Sequence, residues 1–211
     1  CITAQGLCIT FGSNECGELG HSKGLGSASD VQPQLSNVKP ALVQGMSFHL
    51  CVQVACGAKF TIIACHNGEV YGCGASCSTG MPHGNDISRA ERIPALVGVH
   101  VRAISATYMH TIATTTNGMA YGWGSSSMLG IEDREVCQEP ELLQVPKGLG
   151  RIIGAATGYR HSILWTDKGQ LLGAGLNKHG QLGLPLLPML SAFTHIPLPD
   201  EADYCVEACC G

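Results

Sequence analysis

Short apolar runs separated by glycine-bearing turns cover most of the chain, and they recur at a nearly constant interval. The block Val54–Ile62 matches Ile104–Ile112, and both match Gly154–Ile163 once one extra residue is allowed before the shared core. Each block runs into a turn dipeptide, Asn67-Gly68, Asn117-Gly118 or Lys168-Gly169, and then into a second apolar run. An apolar run, a dipeptide of the Asn-Gly type and another apolar run is the strongest short-range signal for a β-hairpin. The second runs are Gly68–Gly74, Gly118–Gly124 and Gly169–Gly175, spaced by 50 and 51 residues, with a more divergent copy at Gly6–Gly12. A third block, Gly17-Glu18-Leu19-Gly20, returns as Gly180-Gln181-Leu182-Gly183 at the same offset from its glycine motif. The middle copies read Ser78-Thr79-Gly80 and Met128-Leu129-Gly130.

Each unit therefore predicts two hairpins' worth of strands, with boundaries near 6–67, 68–117, 118–168 and an incomplete 169–211. One such sheet cannot bury both of its faces alone and must stack on its neighbours. Radial stacking of four-stranded sheets gives a β-propeller, whose repeats run to roughly 40–50 residues. The expected fold is all-β, with about three and a half to four blades of four antiparallel strands. Gly-x-Gly is expected to let strands bend and backbones pack closely near the ring axis.

Composition sharpens this reading. Glycine contributes 28 of 211 residues and charged side chains only 13%. Glycine costs roughly 1 kcal/mol in a helix interior, which disfavours a helical bundle. A net charge of −4 argues against a sequence-independent nucleic-acid binder, so no direct nucleic-acid partner is expected. Neither a membrane-spanning run nor a secretory signal is visible. The twelve cysteines, several in strand-like runs such as Leu7-Cys8-Ile9 and Ile62–Cys65, read as reduced structural thiols of an intracellular protein, cytoplasmic or nuclear.

Candidate chemistry is sparse. His110 and His161 share a repeat position with Phe60, and a catalytic or ligating histidine would not be exchanged for phenylalanine. That position therefore reads as structural, packing or bonding the neighbouring blade. Thr61, Thr111 and Ser162 follow it as strand hydrogen-bonders rather than nucleophiles. Cys73-x3-Cys77 and Cys205-x3-Cys209-Cys210, with His66 or His83 nearby, have only the loosest metal-ligand spacing, so no metal is expected. Gly72-Cys73-Gly74 and Gly122-Trp123-Gly124 lack the strand–loop–helix context of a nucleotide loop. Trp123 reads as a wedge between blades. No cofactor and no catalytic residue are expected.

The Tyr121–Gly124 motif, the Gly180–Gly183 turn and the Gly158–Ser162 block resemble the repeats of the RCC1 family, the regulator of chromosome condensation and its relatives. The resemblance runs from about Gly6 to Gly211. It implies a seven-bladed ring, of which this chain would hold about half. The remaining blades would come from the same chain or another subunit, the alternative being a distinct smaller closed ring; Val206–Gly211 looks like the start of another Val52–Gly57 block. It further implies that the short turns before each histidine or phenylalanine lie on the face where partner proteins dock. Those turns place Lys59, Tyr108, Met109, Tyr159 and Arg160 as the candidate partner-binding residues. The expected function is a non-catalytic, regulatory protein-interaction scaffold. The alternative is guanine-nucleotide exchange on a small GTPase of the Ran type, although the exchange member of the family carries acidic and histidine residues in some of these turns. Three connections vary: the polar Ser22–Pro40, the charged Glu132–Glu135, and Pro185–Pro199, which either packs beneath a blade or offers a docking patch.

Overall fold

The computed structural model describes residues 1–21, 36–46, 48–82, 84–185, 187–199 and 204–211. His83, Leu186 and 22–35 of the first long connection lie outside the described residues. The rest of that connection is not loop, since Ser36–Pro40 belongs to a strand.

Among the described residues, three four-stranded antiparallel sheets and one two-stranded sheet are joined by turns that include three short 3-10 segments. The two-stranded sheet pairs β1 (Ile9–Ser13) with β2 (Ser36–Leu42). Blade one runs β3 (Cys51–Cys56), β4 (Phe60–Cys65), β5 (Val70–Gly74) and β6 (Ile87–Arg92). Blade two runs β7 (Val101–Thr107), β8 (His110–Thr115), β9 (Ala120–Ser125) and β10 (Val136–Leu142). Blade three runs β11 (Ile152–Thr157), β12 (His161–Thr166), β13 (Leu171–Leu176) and β14 (Met189–Ile196). In every blade the strands pair in sequence order, as a meander.

The sequence repeat and the blade are out of phase. A repeat such as 68–117 begins with the outer two strands of one blade and ends with the inner two of the next. First strands gather at the inner end of the array. There the Gln53 side chain donates to Ile104 O and accepts from Ile104 N, both at 2.8 Å, bridging β3 to β7. Thr107 Oγ1 donates to Thr157 O at 2.9 Å, bridging β7 to β11. The segment 204–211 follows the same pattern: Cys205 N donates to Gly169 O, as Cys51, Val101 and Ile152 donate to Gly6, Gly68 and Gly118.

The core lies between blades. Every residue of β4, β5 and β8 is buried, because second and third strands have a neighbouring sheet on each side. Such strands lose the apolar–polar alternation of a half-exposed sheet. Phe60, Ile62, Ile93, Ile104 and Trp123 fill the boundary between blades one and two. Ile112, Leu129, Leu164, Leu172 and Phe193 fill the next boundary. Each full burial of such a side chain contributes about 1.5–3 kcal/mol. The outermost strands tolerate what inner ones cannot. Pro40 and Pro140 interrupt β2 and β10, where the ladder shifts register.

Candidate partner-docking face

Two families of hydrogen bonds fix the turns at one end of the blades. The carbonyls of Lys59, Met109 and Arg160 accept from Ala75 N, Ser125 N and Leu176 N at 2.8, 2.9 and 2.8 Å. Each turn is thereby tied to the segment leaving the third strand of its own blade. The second glycine of Gly-x-Gly makes that approach possible. A Cβ at Gly124 would stand 2.1 Å from Met109 O, and at Gly175 2.7 Å from Arg160 O. Gly124 and Gly175 also have φ of +96° and +97°. The motif thus holds up the candidate turns at the strand end, and does not serve the ring axis, which the first strands line.

Tyr108 is the sole described non-glycine residue with positive φ, at 47°. Its carbonyl accepts from Ala58 N at 2.9 Å, joining the turns of blades one and two. Its ring lies against Tyr159 of blade three, with centroids 4.4 Å apart and planes tilted by 39°. The Tyr108 hydroxyl beside it raises the pKa of Tyr159 above the usual tyrosine value. Tyr108, Met109 and Tyr159 are exposed, at 36%, 37% and 55%, so the pair forms an open aromatic platform. Arg160 is exposed at its rim and forms no ion pair with the described residues. Lys59 stands apart: its ammonium meets Glu15 at 3.0 Å, and that carboxylate raises its pKa. The structure therefore brings four of the five candidates together at two adjacent turns and ties the fifth to the first blade's acidic rim.

Below the turns, the repeated polar positions connect blades. Glu18, Ser78 and Met128 occupy one repeat position, and the carbonyl of each accepts from the following blade. Glu18 O accepts from Thr61 Oγ1 at 2.8 Å and from Cys73 Sγ at 3.4 Å. Ser78 O accepts from Trp123 Nε1 at 3.0 Å. Met128 O accepts from Ser162 Oγ at 2.7 Å. Thr61 and Ser162 are thus bonders between blades, not within a strand, while the Thr111 hydroxyl is buried without a partner. His110 Nε2 completes the third junction, 2.8 Å from Ser162 Oγ. Because Ser162 spends its proton on Met128, His110 donates and Nδ1 is left as an unpaired acceptor. Burial, reinforced by His161, lowers the His110 pKa to about 4. The imidazole is neutral and structural.

All twelve cysteines are free thiols. Burial pushes Cys8 up to about 11 and Cys65 and Cys73 up to about 12, so none of the three supplies a nucleophile at neutral pH. Among the described residues no group of three or more His, Cys, Asp or Glu side chains is arranged to hold a metal ion. No helix among them is long and apolar enough to cross a membrane.

One feature escaped sequence reasoning. Asn177, buried at 5% exposure, donates from Nδ2 to Leu184 O and Leu187 O at 2.7 and 3.0 Å, and accepts from Leu182 N. It shapes the start of the Pro185–Pro199 connection into the wall of a cavity of about 390 Å³, while Leu190, Phe193 and Ile196 bury the remainder. That connection both packs and opens a cavity.

Residues 5–64 match the family model of the Regulator of chromosome condensation (RCC1) repeat. The chain belongs to the RCC1 repeat family. It is 32% identical over 183 residues to the Ultraviolet-B receptor UVR8 of Arabidopsis thaliana, covering 84% of this chain and 39% of the receptor. It is 31% identical over 217 residues to the mouse Secretion-regulating guanine nucleotide exchange factor, covering 96% and 43%. Human WBSCR16 superposes with a TM-score of 0.76 at 25% identity, over 90% of this chain and 47% of that one. Yeast Prp20p, whose binding to Gsp1p and histones has been described, superposes with a TM-score of 0.68 at 19% identity, which speaks for the fold. The RCC1-repeat chain spans about two fifths of the length of the curated relatives it matches, and its blades are an arc of a propeller.

Proposed function

We propose that this RCC1-repeat arc is a non-catalytic protein-interaction scaffold whose partner docks on the turn face, and that further blades extend it towards a seven-bladed ring. The carrying observation is the Tyr108–Tyr159 platform with Met109 and Arg160 at its edge, held by main-chain bonds that leave the side chains exposed. Tyrosine and arginine dominate interface hot spots because they bury much area at small entropic cost. Rigid turns reduce the ordering cost further. Lys59 provides the outer contact at blade one through its pair with Glu15. The free thiols support a reducing, intracellular setting.

A second reading is favoured by the mouse exchange factor: the face would stabilise a nucleotide-free small GTPase of the Ran type by binding it preferentially. Partner capture with the wild-type chain and with Tyr159→Ala, alongside nucleotide release from a panel of small GTPases, separates the two. The scaffold reading expects capture lost in Tyr159→Ala and no change in release. Stimulated release that disappears in Tyr159→Ala and Arg160→Ala overturns it in favour of exchange. Capture unaffected by both substitutions removes the turn face from either reading.

A further inference from the structure

Charge along the chain is segregated in a way that points to one kind of ligand. Between residues 142 and 199, five Lys or Arg residues stand against a single carboxylate, Asp167, before the acidic Asp200, Glu201 and Asp203; two of the five, Arg160 and Lys178, belong to the turn end of blade three. Asp167 belongs to the opposite end of blade three, where its Oδ1 accepts from Arg151 N at 2.9 Å. On the turn end of that blade stand Arg160, Lys178 and His179, all exposed, with no carboxylate in 157–161 or 176–188. The turn ends of the other blades carry acid beside their cations: Glu15, paired with Lys59, and Asp86 at blade one, and the exposed Glu132, Asp133 and Glu135 around Arg134 at blade two.

The basic end of blade three also holds the Asn177 cavity. Lys178 lies on its lining with Leu184, Pro185, Leu187 and Pro188, and Leu187 is 56% exposed. It connects directly to the docking turn, since Leu176 N donates to Arg160 O and Asn177 N donates to Pro188 O, both at 2.8 Å. A cation beside an open depression with leucine and proline on its walls recognises a different ligand from a cation alone. Nucleic acid would need a stripe of cations matching repeated phosphates. Two or three cations flanking apolar walls fit carboxylates placed around an apolar side chain.

We propose that the turn end of blade three is a groove for an acidic peptide segment with an aliphatic anchor. The anchor fills the Asn177 cavity against Leu184 and Leu187, and flanking carboxylates pair with Lys178 and Arg160. Acidic turns on blades one and two repel the segment and direct it towards blade three. This groove extends the docking face described above and rests on that face being a protein-binding one.

The test is fluorescence anisotropy with the full chain and a labelled acidic decapeptide carrying a central Leu-Leu pair. Control probes are the same peptide with serines in place of the leucines, and a single-stranded DNA of equal charge. The groove requires saturable binding, weakened about tenfold by the serine exchange, and about tenfold by Lys178→Glu or Leu187→Ser at unchanged melting temperature. DNA binding as tightly as the leucine peptide, equal binding of the serine peptide, or wild-type affinity in both variants overturns it. So does absence of binding by the leucine peptide. A partner lost with Tyr159→Ala yet retained at full affinity by Lys178→Glu refutes the groove alone and leaves the docking face standing.

Discussion

Trp123 Nε1 donates to the carbonyl of Ser78 at 3.0 Å, the acceptor at the repeat position that Thr61 and Ser162 reach in the other two junctions. Thr111 lies directly opposite Trp123 in the β8–β9 ladder, as Thr61 lies opposite Cys73 and Ser162 opposite Ala174. In the other two junctions that hydroxyl reaches its carbonyl; here the Thr111 hydroxyl is buried with no partner. A larger side chain with its own donor has displaced the smaller one.

Replacing Thr111 by valine therefore removes an unpaired buried hydroxyl at nearly constant shape. Thr111→Val is expected to be neutral or to stabilise by about 1 kcal/mol, whereas Ser162→Ala, which strips Met128 O and His110 of their partner, costs about 1–3 kcal/mol. Urea denaturation of both variants checks the contrast; Thr111→Val losing more than Ser162→Ala would contradict the displacement.

Removing the indole has a different cost. Trp123 is fully buried between blades, so Trp123→Ala is expected to destabilise by about 3–5 kcal/mol through cavity formation. Trp123→Phe loses less, because the freed Ser78 carbonyl becomes available to Thr111. A double-mutant cycle of Trp123→Phe with Thr111→Val measures that rescue: coupling near zero means Thr111 never takes over.

Stability depends on pH through the neutral histidine. The unfolded imidazole binds a proton below about 6.5, while in the folded chain His110 resists protonation down to about 4. The unfolded state thus holds more protons inside that window, and stability is lost as pH falls from about 6.5 towards 4. The loss from this residue is on the order of 3 kcal/mol, and His161, also lowered by burial, adds loss of the same sign. Chemical denaturation across that range should show the slope. His110→Phe, which installs the blade-one residue, should flatten it; an unchanged slope would assign the effect elsewhere.

Glycine beneath the Tyr108–Met109 and Tyr159–Arg160 turns is a strict requirement. Gly124→Ala puts a Cβ against Met109 O at a φ of +96°, and the turn must lift. Destabilisation of about 2 kcal/mol or more is expected, together with loss of the near-ultraviolet dichroism of the Tyr108–Tyr159 pair. A variant that keeps both its melting temperature and that signal would contradict the support assigned to Gly124.

Thiol reactivity divides by burial. Cys56 and Cys209 are exposed, while Cys8, Cys65 and Cys73 are buried and held protonated. Brief iodoacetamide treatment of the native chain, read by peptide mass spectrometry, should label the first two and spare the other three until denaturant is added. Rapid native labelling of Cys73 would show that the first junction opens.

The strands and hairpins were legible because the Asn-Gly turns and Gly-x-Gly motifs repeat with one spacing, whereas Tyr108, Met109, Tyr159 and Arg160 became candidates through the family resemblance, which implies that their turns face a partner. Phase was not legible. A repeat read from its glycine motif starts at the third strand, and nothing local marks where a sheet begins. The partners of Thr61, Ser162 and Trp123 lie 43, 34 and 45 residues away in the chain, so their types suggested hydrogen bonding without saying to what. The Asn177 cavity left no pattern, since main-chain carbonyls of a proline-rich connection build it and any residue can supply a carbonyl.

The position shared by Glu18, Ser78 and Met128 bears on how such a molecule can be copied. Each carbonyl and the hydroxyl opposite it fall inside one sequence repeat: Glu18 with Thr61, Ser78 with Thr111, Met128 with Ser162. A gene duplication bounded by the repeat carries the first and third junctions with acceptor and hydroxyl donor together, while the second takes its donor, Trp123, from the next repeat. A duplication bounded by the sheet would instead carry the carbonyl of one junction with the hydroxyl of the junction before it. The heritable module of this chain is the joint between blades.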